Sequence, residues 1–119
     1  MESTYKHIDL TYVTEIADGN NDLIRELVTI FKSQVIEYRA EFYLHLNNEN
    51  WESLGALAHK AKSSVAVMGI KILAADLKRL ELLAREAKDI SVYPEIVKSF
   101  DIITNEAVVE LDDYVSKLD

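Results

Sequence analysis

Residues 51 to 69, WESLGALAHKAKSSVAVMG, have the spacing of an amphipathic helix. Their apolar residues recur every three or four positions, as on a helix face that packs into a core. These residues are Leu54, Leu57, Ala61, Val65 and Met68. Asn50 can cap the start of the helix, and Gly69 can end it. The stretch therefore predicts one long helix of an all-α fold, with its apolar stripe buried against neighbouring helices.

The opposite side of this helix carries His59 among mostly small residues. Each residue of a helix advances by about 100°, which puts on that side Glu52, Gly55, Ala56, Lys62, Ser63 and Ala66. We expect the imidazole to be exposed, with the Lys62 ammonium about one turn away. Because few long side chains surround it, a second macromolecule could approach. We therefore interpret His59 as an accessible nucleophile.

Three further long segments repeat the helical spacing. Their apolar positions are Ile24, Leu27, Phe31, Val35, Tyr38 and Phe42; Leu73, Leu77, Leu80, Ala84 and Ala87; and Ile96, Phe100, Ile103, Ala107, Leu111, Val115 and Leu118. A short helix from Ile8 to Ala17 precedes them, with Asp9 as its N-cap and Gly19 at its end.

The connections between the long helices are short, so consecutive helices should run in opposite directions. They lie at 47–50, at Gly69 and at 89–94. We predict an antiparallel up-down-up-down four-helix bundle with a short N-terminal capping helix, and a single domain over residues 1–119.

Composition and charge argue against several classes of function. The chain has 119 residues, a formal net charge of −8 and no cysteine. Nucleic-acid-binding proteins usually carry a basic patch, so we expect no nucleic-acid partner. No apolar run approaches the roughly 20 residues that span a bilayer, so we expect no membrane association and a cytoplasmic location. The sequence leaves open whether the domain acts alone or belongs to a longer protein.

The other histidines, His7 and His45, lack the surroundings of His59. His45 follows Glu41 by four positions, a spacing that can bind a metal, but two ligands are too few. We therefore expect no metal site and no cofactor. We interpret the acidic residues of the last helix as a solvated face. They are Asp101, Glu106, Glu110, Asp112 and Asp113.

The stretch around His59 resembles the histidine-containing phosphotransfer (HPt) domains of phosphorelays. Their signature is approximately HxxKG, followed by small residues and a second Gly at the helix end. The matching residues are Ala58, His59, Lys62, Ser64 and Gly69. The helix order and the acidic character extend the resemblance over essentially the whole chain. One position departs from the pattern, because Ser63 stands where the family usually has Gly; its hydroxyl could bond to the His59 carbonyl or orient the imidazole.

The resemblance implies a phosphocarrier rather than an enzyme. His59 would take a phosphoryl group from an Asp of one response-regulator receiver domain and pass it to another, while Lys62 would favour the added negative charge. Imidazole suits this role because it is largely neutral near pH 7 and is a good nucleophile. The sequence shows no nucleotide-binding loop, magnesium-binding carboxylate cluster or general base near His59. The receiver domain, with its bound magnesium ion, would supply the catalysis.

The small residues near His59 would form the docking surface. They are Gly55, Ala56, Ser63 and Ala66, with Val67 beside them. We expect receiver domains as partners, a hybrid histidine kinase as a further candidate, and a monomer. The sequence names neither the cognate regulators nor the direction of phosphate flow. The alternative is a helical adaptor that binds a protein without phosphotransfer, for which His59 would be incidental. A metalloenzyme is disfavoured because no ligand set is present.

Overall fold

The computed structural model describes residues 5–118, which fold into helices joined by short connections. The five α-helices are α1 (Thr11–Ala17), α2 (Asn21–Asn47), α3 (Trp51–Val67), α4 (Lys71–Arg85) and α5 (Tyr93–Ser116). A short 3-10 helix, Ile90–Val92, precedes α5. No strand occurs among these residues. The prediction of an all-α fold is confirmed.

The four long helices pack around one apolar core. Helix α2 contacts α3 and α5, and helix α4 also contacts α3 and α5. The contact between α3 and α4 is the most extensive of these, and α1 packs on α2. In the core, the rings of Phe42 and Phe100 lie 4.9 Å apart between their centroids. Within the described part of the chain, no helix has both the length and the hydropathy needed to cross a membrane.

Both ends of α3 form where the sequence predicts them. The Asn50 side chain accepts a hydrogen bond from the Ser53 backbone N–H at 3.2 Å, which caps the first turn. At the other end Gly69 adopts a φ of 74°, a left-handed conformation that glycine tolerates best. A Cβ on Gly69 would overlap the Asp9 carbonyl, so glycine also lets the N-terminal segment approach the end of α3.

Helix α1 is shorter than predicted, because it begins at Thr11 rather than at Ile8. The Asp9 N–H donates to the Met68 carbonyl at 3.0 Å, which holds this part of the chain against the end of α3. The Ile8 side chain is buried in the core. Asp9 lies one position before the N-cap residue, Leu10, and its carboxylate accepts a hydrogen bond from the Thr11 N–H at 3.1 Å.

The later helices also differ from the prediction at their ends. Ala87 lies beyond α4 with a φ of 52°, so it does not belong to the apolar stripe of that helix. Pro94 lies in the first turn of α5 rather than in the connection. In a first turn the missing N–H of proline costs no helical hydrogen bond. Helix α5 ends at Ser116, and Leu118 follows it as a partly buried residue.

The acidic residues of α5 are exposed or partly exposed, as a solvated face requires, but they also bind other parts of the chain, which the sequence interpretation misses. The Glu110 carboxylate accepts hydrogen bonds from three consecutive backbone N–H groups, those of residues 6–8. The Nε2 atom of His7 lies 2.6 Å from Oε1 of Glu106. The remaining pairs are Asp113 with Tyr5, Asp112 with Lys32, and Asp101 with Arg39. These hydrogen bonds and ion pairs hold the N-terminal segment and α2 against α5.

Candidate functional site

The His59 side chain lies on α3 and is 60% exposed, as the sequence predicts. Its Nδ1 atom lies 2.9 Å from Oε2 of Glu81, on α4. Within residues 5–118, Nε2 of this ring has no hydrogen-bond partner. The exposed histidine is therefore bonded on one nitrogen to a carboxylate from the neighbouring helix, and its other nitrogen is free.

The Glu81 side chain is 2% exposed, and three cationic or titratable side chains surround its carboxylate. The Lys62 Nζ atom lies 3.2 Å from Oε1, and the Arg85 Nη2 atom lies 2.6 Å from Oε2. Burial raises the pKa of Glu81, but the hydrogen bond from Lys62 and the charges of Arg85, His59 and Lys62 outweigh it. The resulting pKa lies below its ordinary value, so the carboxylate is ionised near neutral pH.

The contact with Glu81 determines which ring nitrogen of His59 carries the proton. An ionised carboxylate can only accept hydrogen bonds, so Nδ1 must be the donor. In the neutral imidazole, Nε2 then has a lone pair and no proton. The expectation that no base lies near His59 is wrong. Glu81 contacts Nδ1 rather than Nε2, so it orients the ring and fixes its tautomer.

Sequence reasoning misses Glu81 because it lies 22 residues from His59, on another helix. One signal was present, since Glu81 falls in the apolar stripe of α4, between the buried residues Leu77 and Ala84. Burying a carboxylate costs several kcal/mol unless the charge is paired. A carboxylate in such a stripe therefore implies a cationic partner on a neighbouring helix.

Lys62 is more constrained than an ordinary solvated lysine. Its side chain is 23% exposed, and its ammonium bonds to the buried carboxylate of Glu81 at 3.2 Å. Lys62 thus contributes to the charge balance that keeps Glu81 ionised. Its expected contact with a phosphoryl group on His59 stays a prediction.

Gly55 is buried, so the expectation that it is an exposed docking position is wrong. It packs against α4, where a Cβ would lie 3.4 Å from the Cβ of Ala84 and 3.4 Å from the Glu81 carbonyl oxygen. The helical spacing puts Gly55 on the side of His59, but it does not reveal that α4 covers this part of the face. The other predicted docking positions are exposed: Ala56, Ser63 and Ala66.

The two serines that follow Lys62 have different surroundings. Ser63 makes no hydrogen bond within residues 5–118, so neither of the bonds suggested for its hydroxyl is present there. The Ser64 hydroxyl lies 3.4 Å from the Tyr38 hydroxyl on α2. Ser63 therefore leaves its hydroxyl open to a partner, whereas Ser64 links α3 to α2.

Two shallow, mainly apolar cavities lie beside the His59 face, where α3 meets α1 and α2. The first has a volume of about 230 Å³, and its lining includes Ile30, Ser63 and Val67. The second, of about 260 Å³, is lined by Tyr12, Ala66 and Val67. Tyr12 and Ile30 are both about half exposed. Sequence reasoning misses both cavities because spacing alone does not show which helices flank α3.

Residues 5–118 contain no group of three or more His, Cys, Asp or Glu side chains that could hold a metal ion. Glu41 and His45 thus acquire no further ligand in this range. His7, which the sequence gives no special surroundings, bonds to Glu106 at 2.6 Å. The chemistry of the site therefore centres on His59 and the buried carboxylate beside it.

The helical fold and the exposed, carboxylate-bound histidine agree with what the sequence resemblance implies. The family model of the Hpt domain matches residues 26–119, so the chain belongs to this family of phosphorelay proteins and the resemblance is confirmed. Hpt proteins in general are phosphocarriers rather than enzymes, and the family interacts with response-regulator receivers.

Among solved structures, the chain is similar to histidine-containing phosphotransfer protein B (HptB) from Pseudomonas aeruginosa PAO1. The TM-score is 0.87 at 19% sequence identity, and the match covers 98% of this chain and 100% of that chain. At this identity the likeness supports the fold. Comparison with curated protein sequences gave no match.

Proposed function

We propose that this protein relays a phosphoryl group between Asp residues of response-regulator receiver domains through Nε2 of His59. The observation that carries the proposal is the buried Glu81 carboxylate 2.9 Å from Nδ1, which leaves an exposed, unprotonated Nε2. Membership of the Hpt family supports the class of reaction.

The proposed transfer needs no proton movement on this chain. In the first step the Nε2 lone pair attacks the phosphorus of an aspartyl phosphate; the N–P bond forms, the O–P bond breaks, and the Asp carboxylate leaves. The ring keeps its Nδ1 proton and becomes positively charged, which favours contact with the ionised Glu81. In the second step an Asp of another receiver attacks phosphorus, and the neutral imidazole leaves.

Two cationic side chains are available to stabilise the phosphoryl group. Lys62 bonds to Glu81 and lies three residues from His59, on the same side of α3. The Arg85 side chain is 59% exposed while its guanidinium bonds to Glu81 at 2.6 Å. A phosphoryl group on His59 brings negative charge to both, and the exposed position of Arg85 limits its effect by solvent screening.

We further propose that the receiver supplies the catalysis, including the magnesium ion, and that this chain needs no cofactor. Removing magnesium with a chelator should then stop transfer in the mixture without altering the fold of this protein. Circular dichroism and transfer assays with and without chelator measure the two effects separately. Transfer that persists without magnesium contradicts this part of the proposal.

The proposed docking surface comprises exposed residues of three helices around the two cavities. Its members are Tyr12, Ile30, Ala56, Ser63 and Ala66. All five are uncharged, and interface cores are depleted of charge and enriched in aromatic residues. An apolar helix face of a receiver domain fits such a surface.

Ala66→Trp tests this docking surface, because its bulk would fill the cavity beside Val67. We expect the transfer rate to fall by about tenfold or more while the fold is retained. Val109→Trp is the matched control, since Val109 is 69% exposed on α5, outside the proposed surface. Equal transfer by both variants contradicts the proposed docking surface.

His59→Gln is the direct test of the carrier role. The wild-type protein, mixed with receiver domains phosphorylated by acetyl phosphate, should acquire phosphate that is labile in acid and stable in base. His59→Gln should acquire none, and His45→Gln, which changes another histidine, should behave as wild type. If the wild type acquires no such phosphate from any cognate receiver, or His59→Gln keeps partner function intact, the adaptor alternative is favoured.

The proposal also covers architecture and cellular context. Antiparallel order is supported by the contacts between α2 and α5, where Lys32 pairs with Asp112 and Arg39 with Asp101. On this basis we propose an antiparallel four-helix bundle closed by α1, within one domain over residues 1–119. We propose a monomer, which light scattering can test. The absence of cysteine fits the proposed cytoplasmic location, and a hybrid histidine kinase remains a candidate partner.

A further inference from the structure

Gly55 lies in the contact between α3 and α4, four residues before His59. A Cβ at this position would lie 3.4 Å from the Ala84 Cβ and 3.4 Å from the carbonyl oxygen of Glu81. Both distances lie at the short end of ordinary van der Waals contact, so a Cβ fits at this position, but side-chain atoms beyond it would meet α4. Glycine therefore permits a close approach of the two helices at this level of the bundle.

This close approach occurs at the residue that supplies the carboxylate. Glu81 bonds to His59 across the same pair of helices, with 2.9 Å between Nδ1 and Oε2. A side chain larger than that of Ala at this position would press on the Glu81 backbone and move α4 outward. Hydrogen bonds of this kind extend to about 3.2 Å, so a shift of a few tenths of an ångström weakens the contact.

The Glu81 side chain has little freedom to compensate for such a shift. Its carboxylate is buried and also bonds to Lys62 at 3.2 Å and to Arg85 at 2.6 Å. Lys62 belongs to α3 and Arg85 to α4, so the carboxylate is held from both helices. Moving α4 therefore changes the distance to His59 rather than only the rotamer of Glu81.

We propose that Gly55 is a positioning residue, which keeps α4 close enough for Glu81 to hold the Nδ1–H tautomer of His59. The consequence for phosphoryl transfer rests on the proposed function, whereas the consequence for the tautomer does not. The small side chain of Ala84 on α4 also permits the close approach of the two helices, because its Cβ is the one nearest to Gly55.

The test compares Gly55→Ala, Gly55→Val, Ala84→Gly and the double variant Gly55→Ala/Ala84→Gly. Nitrogen-15 NMR of the His59 ring reports the tautomer, and a phosphorylated receiver reports the transfer rate. We expect Gly55→Ala to keep the tautomer and the rate close to those of wild type, because its Cβ fits in ordinary contact with α4. Gly55→Val should lose much of the Nδ1–H tautomer and slow transfer by about tenfold to 100-fold. Ala84→Gly and the double variant should stay close to wild type, because neither adds an atom beyond a Cβ. Ala40→Val, exposed on α2, should change neither readout.

A Gly55→Val protein that keeps both the wild-type tautomer and the wild-type rate overturns the proposal. So does a loss of rate without a change of tautomer, because Gly55 would then act on folding or docking alone. If Gly55→Val does not fold, Gly55→Ser, which adds one atom beyond the Cβ, is measured instead and should lose tautomer and rate in the same way to a smaller extent. If no variant, including wild type, accepts phosphate, the proposed function fails, while the NMR comparison still tests the positioning role.

Discussion

Two histidines of this protein each bond to a glutamate, but the burial of the partners is reversed. Between α3 and α4 the His59 side chain is 60% exposed and the Glu81 side chain 2%. Between the N-terminal segment and α5 the His7 side chain is 13% exposed and the Glu106 side chain 51%. The bonded nitrogen also differs, being Nδ1 in the first pair and Nε2 in the second. The first arrangement leaves Nε2 of an exposed histidine without a partner among the described residues, whereas the second attaches the N-terminal segment to α5.

The comparison shows that residue types alone do not define the site. A buried carboxylate needs several partners, and Glu81 has His59, Lys62 and Arg85 within 3.2 Å. An exposed carboxylate such as Glu106 is hydrated and therefore needs fewer protein partners. Buried charges with shifted pKa values concentrate at functional sites, so the position of the carboxylate, rather than that of the histidine, distinguishes the two pairs.

The largest expected difference between the pairs lies in phosphoryl transfer. Glu81→Gln keeps the shape of the side chain but removes the charge that selects the Nδ1–H tautomer, so we expect transfer to slow by about tenfold to 100-fold. The equivalent change Glu106→Gln should leave the rate unchanged. Rates measured with one phosphorylated receiver check both. Equal rates for the two variants would remove the functional distinction between the pairs.

A smaller difference is expected in the acid dependence of stability. The pKa of Glu81 lies below its ordinary value of 4.5, so its stabilising effect is present above that value and is lost as the pH falls through the lower folded pKa. Urea unfolding should therefore show that the free energy of unfolding falls more steeply from about pH 6 to about pH 3 in wild type than in Glu81→Gln.

Glu106→Gln is the control for that acid dependence. The hydrogen bond from His7 is the main cause that lowers the pKa of Glu106, but solvent screens this exposed group. Glu106→Gln should therefore change the pH dependence of the unfolding free energy less than Glu81→Gln does. A larger change would mean that the N-terminal contact, and not the buried carboxylate, dominates the acid sensitivity.

The smallest expected effect concerns Tyr5, whose hydroxyl donates to Asp113 at 2.7 Å. This hydrogen bond is the main cause that raises the pKa of Tyr5 to about 12, with burial and the Asp113 charge adding to it. Tyr5→Phe should lower the free energy of unfolding by about 1 kcal/mol at neutral pH. The difference should vanish as the pH rises from about 10 towards 12, because the neutral phenol is the stabilised form.

Phosphoryl transfer provides the contrast for Tyr5→Phe, since this variant should transfer at the wild-type rate. Urea unfolding at two pH values and a transfer assay measure the two properties. A transfer rate reduced as far as in Glu81→Gln would show that the N-terminal segment and the His59 site act as one unit.

Local signals predicted much of the helix pattern. The cap at Asn50 and the turn at Gly69 depend on residues adjacent in sequence, and both form as predicted. The exposure of His59 follows from the apolar stripe on the other side of α3. Such features need no knowledge of how the helices are arranged, because neighbours along the chain determine them.

The remaining features depend on which helices become neighbours. Gly55 is buried and Glu81 reaches His59 because α4 covers one flank of α3, and spacing within α3 carries no information about that flank. For the same reason the acidic residues of α5 resemble a solvated face until the N-terminal segment is seen to bind Glu110. Long-range partners, rather than helix propensity, account for these errors.

The turn at Gly69 has a consequence for the speed of recognition. Helix α1 has only seven residues, fewer than the roughly 12 at which an isolated helix begins to persist in water. Its order therefore depends on tertiary contacts, among them the bond from Asp9 to Met68 beside Gly69. If these contacts open, Tyr12 leaves the proposed docking surface while His59 keeps its place on α3. Residues at this turn can thus change the fraction of molecules in which the proposed docking surface is complete. That fraction sets the association rate with a receiver domain, and the change requires no contact with His59.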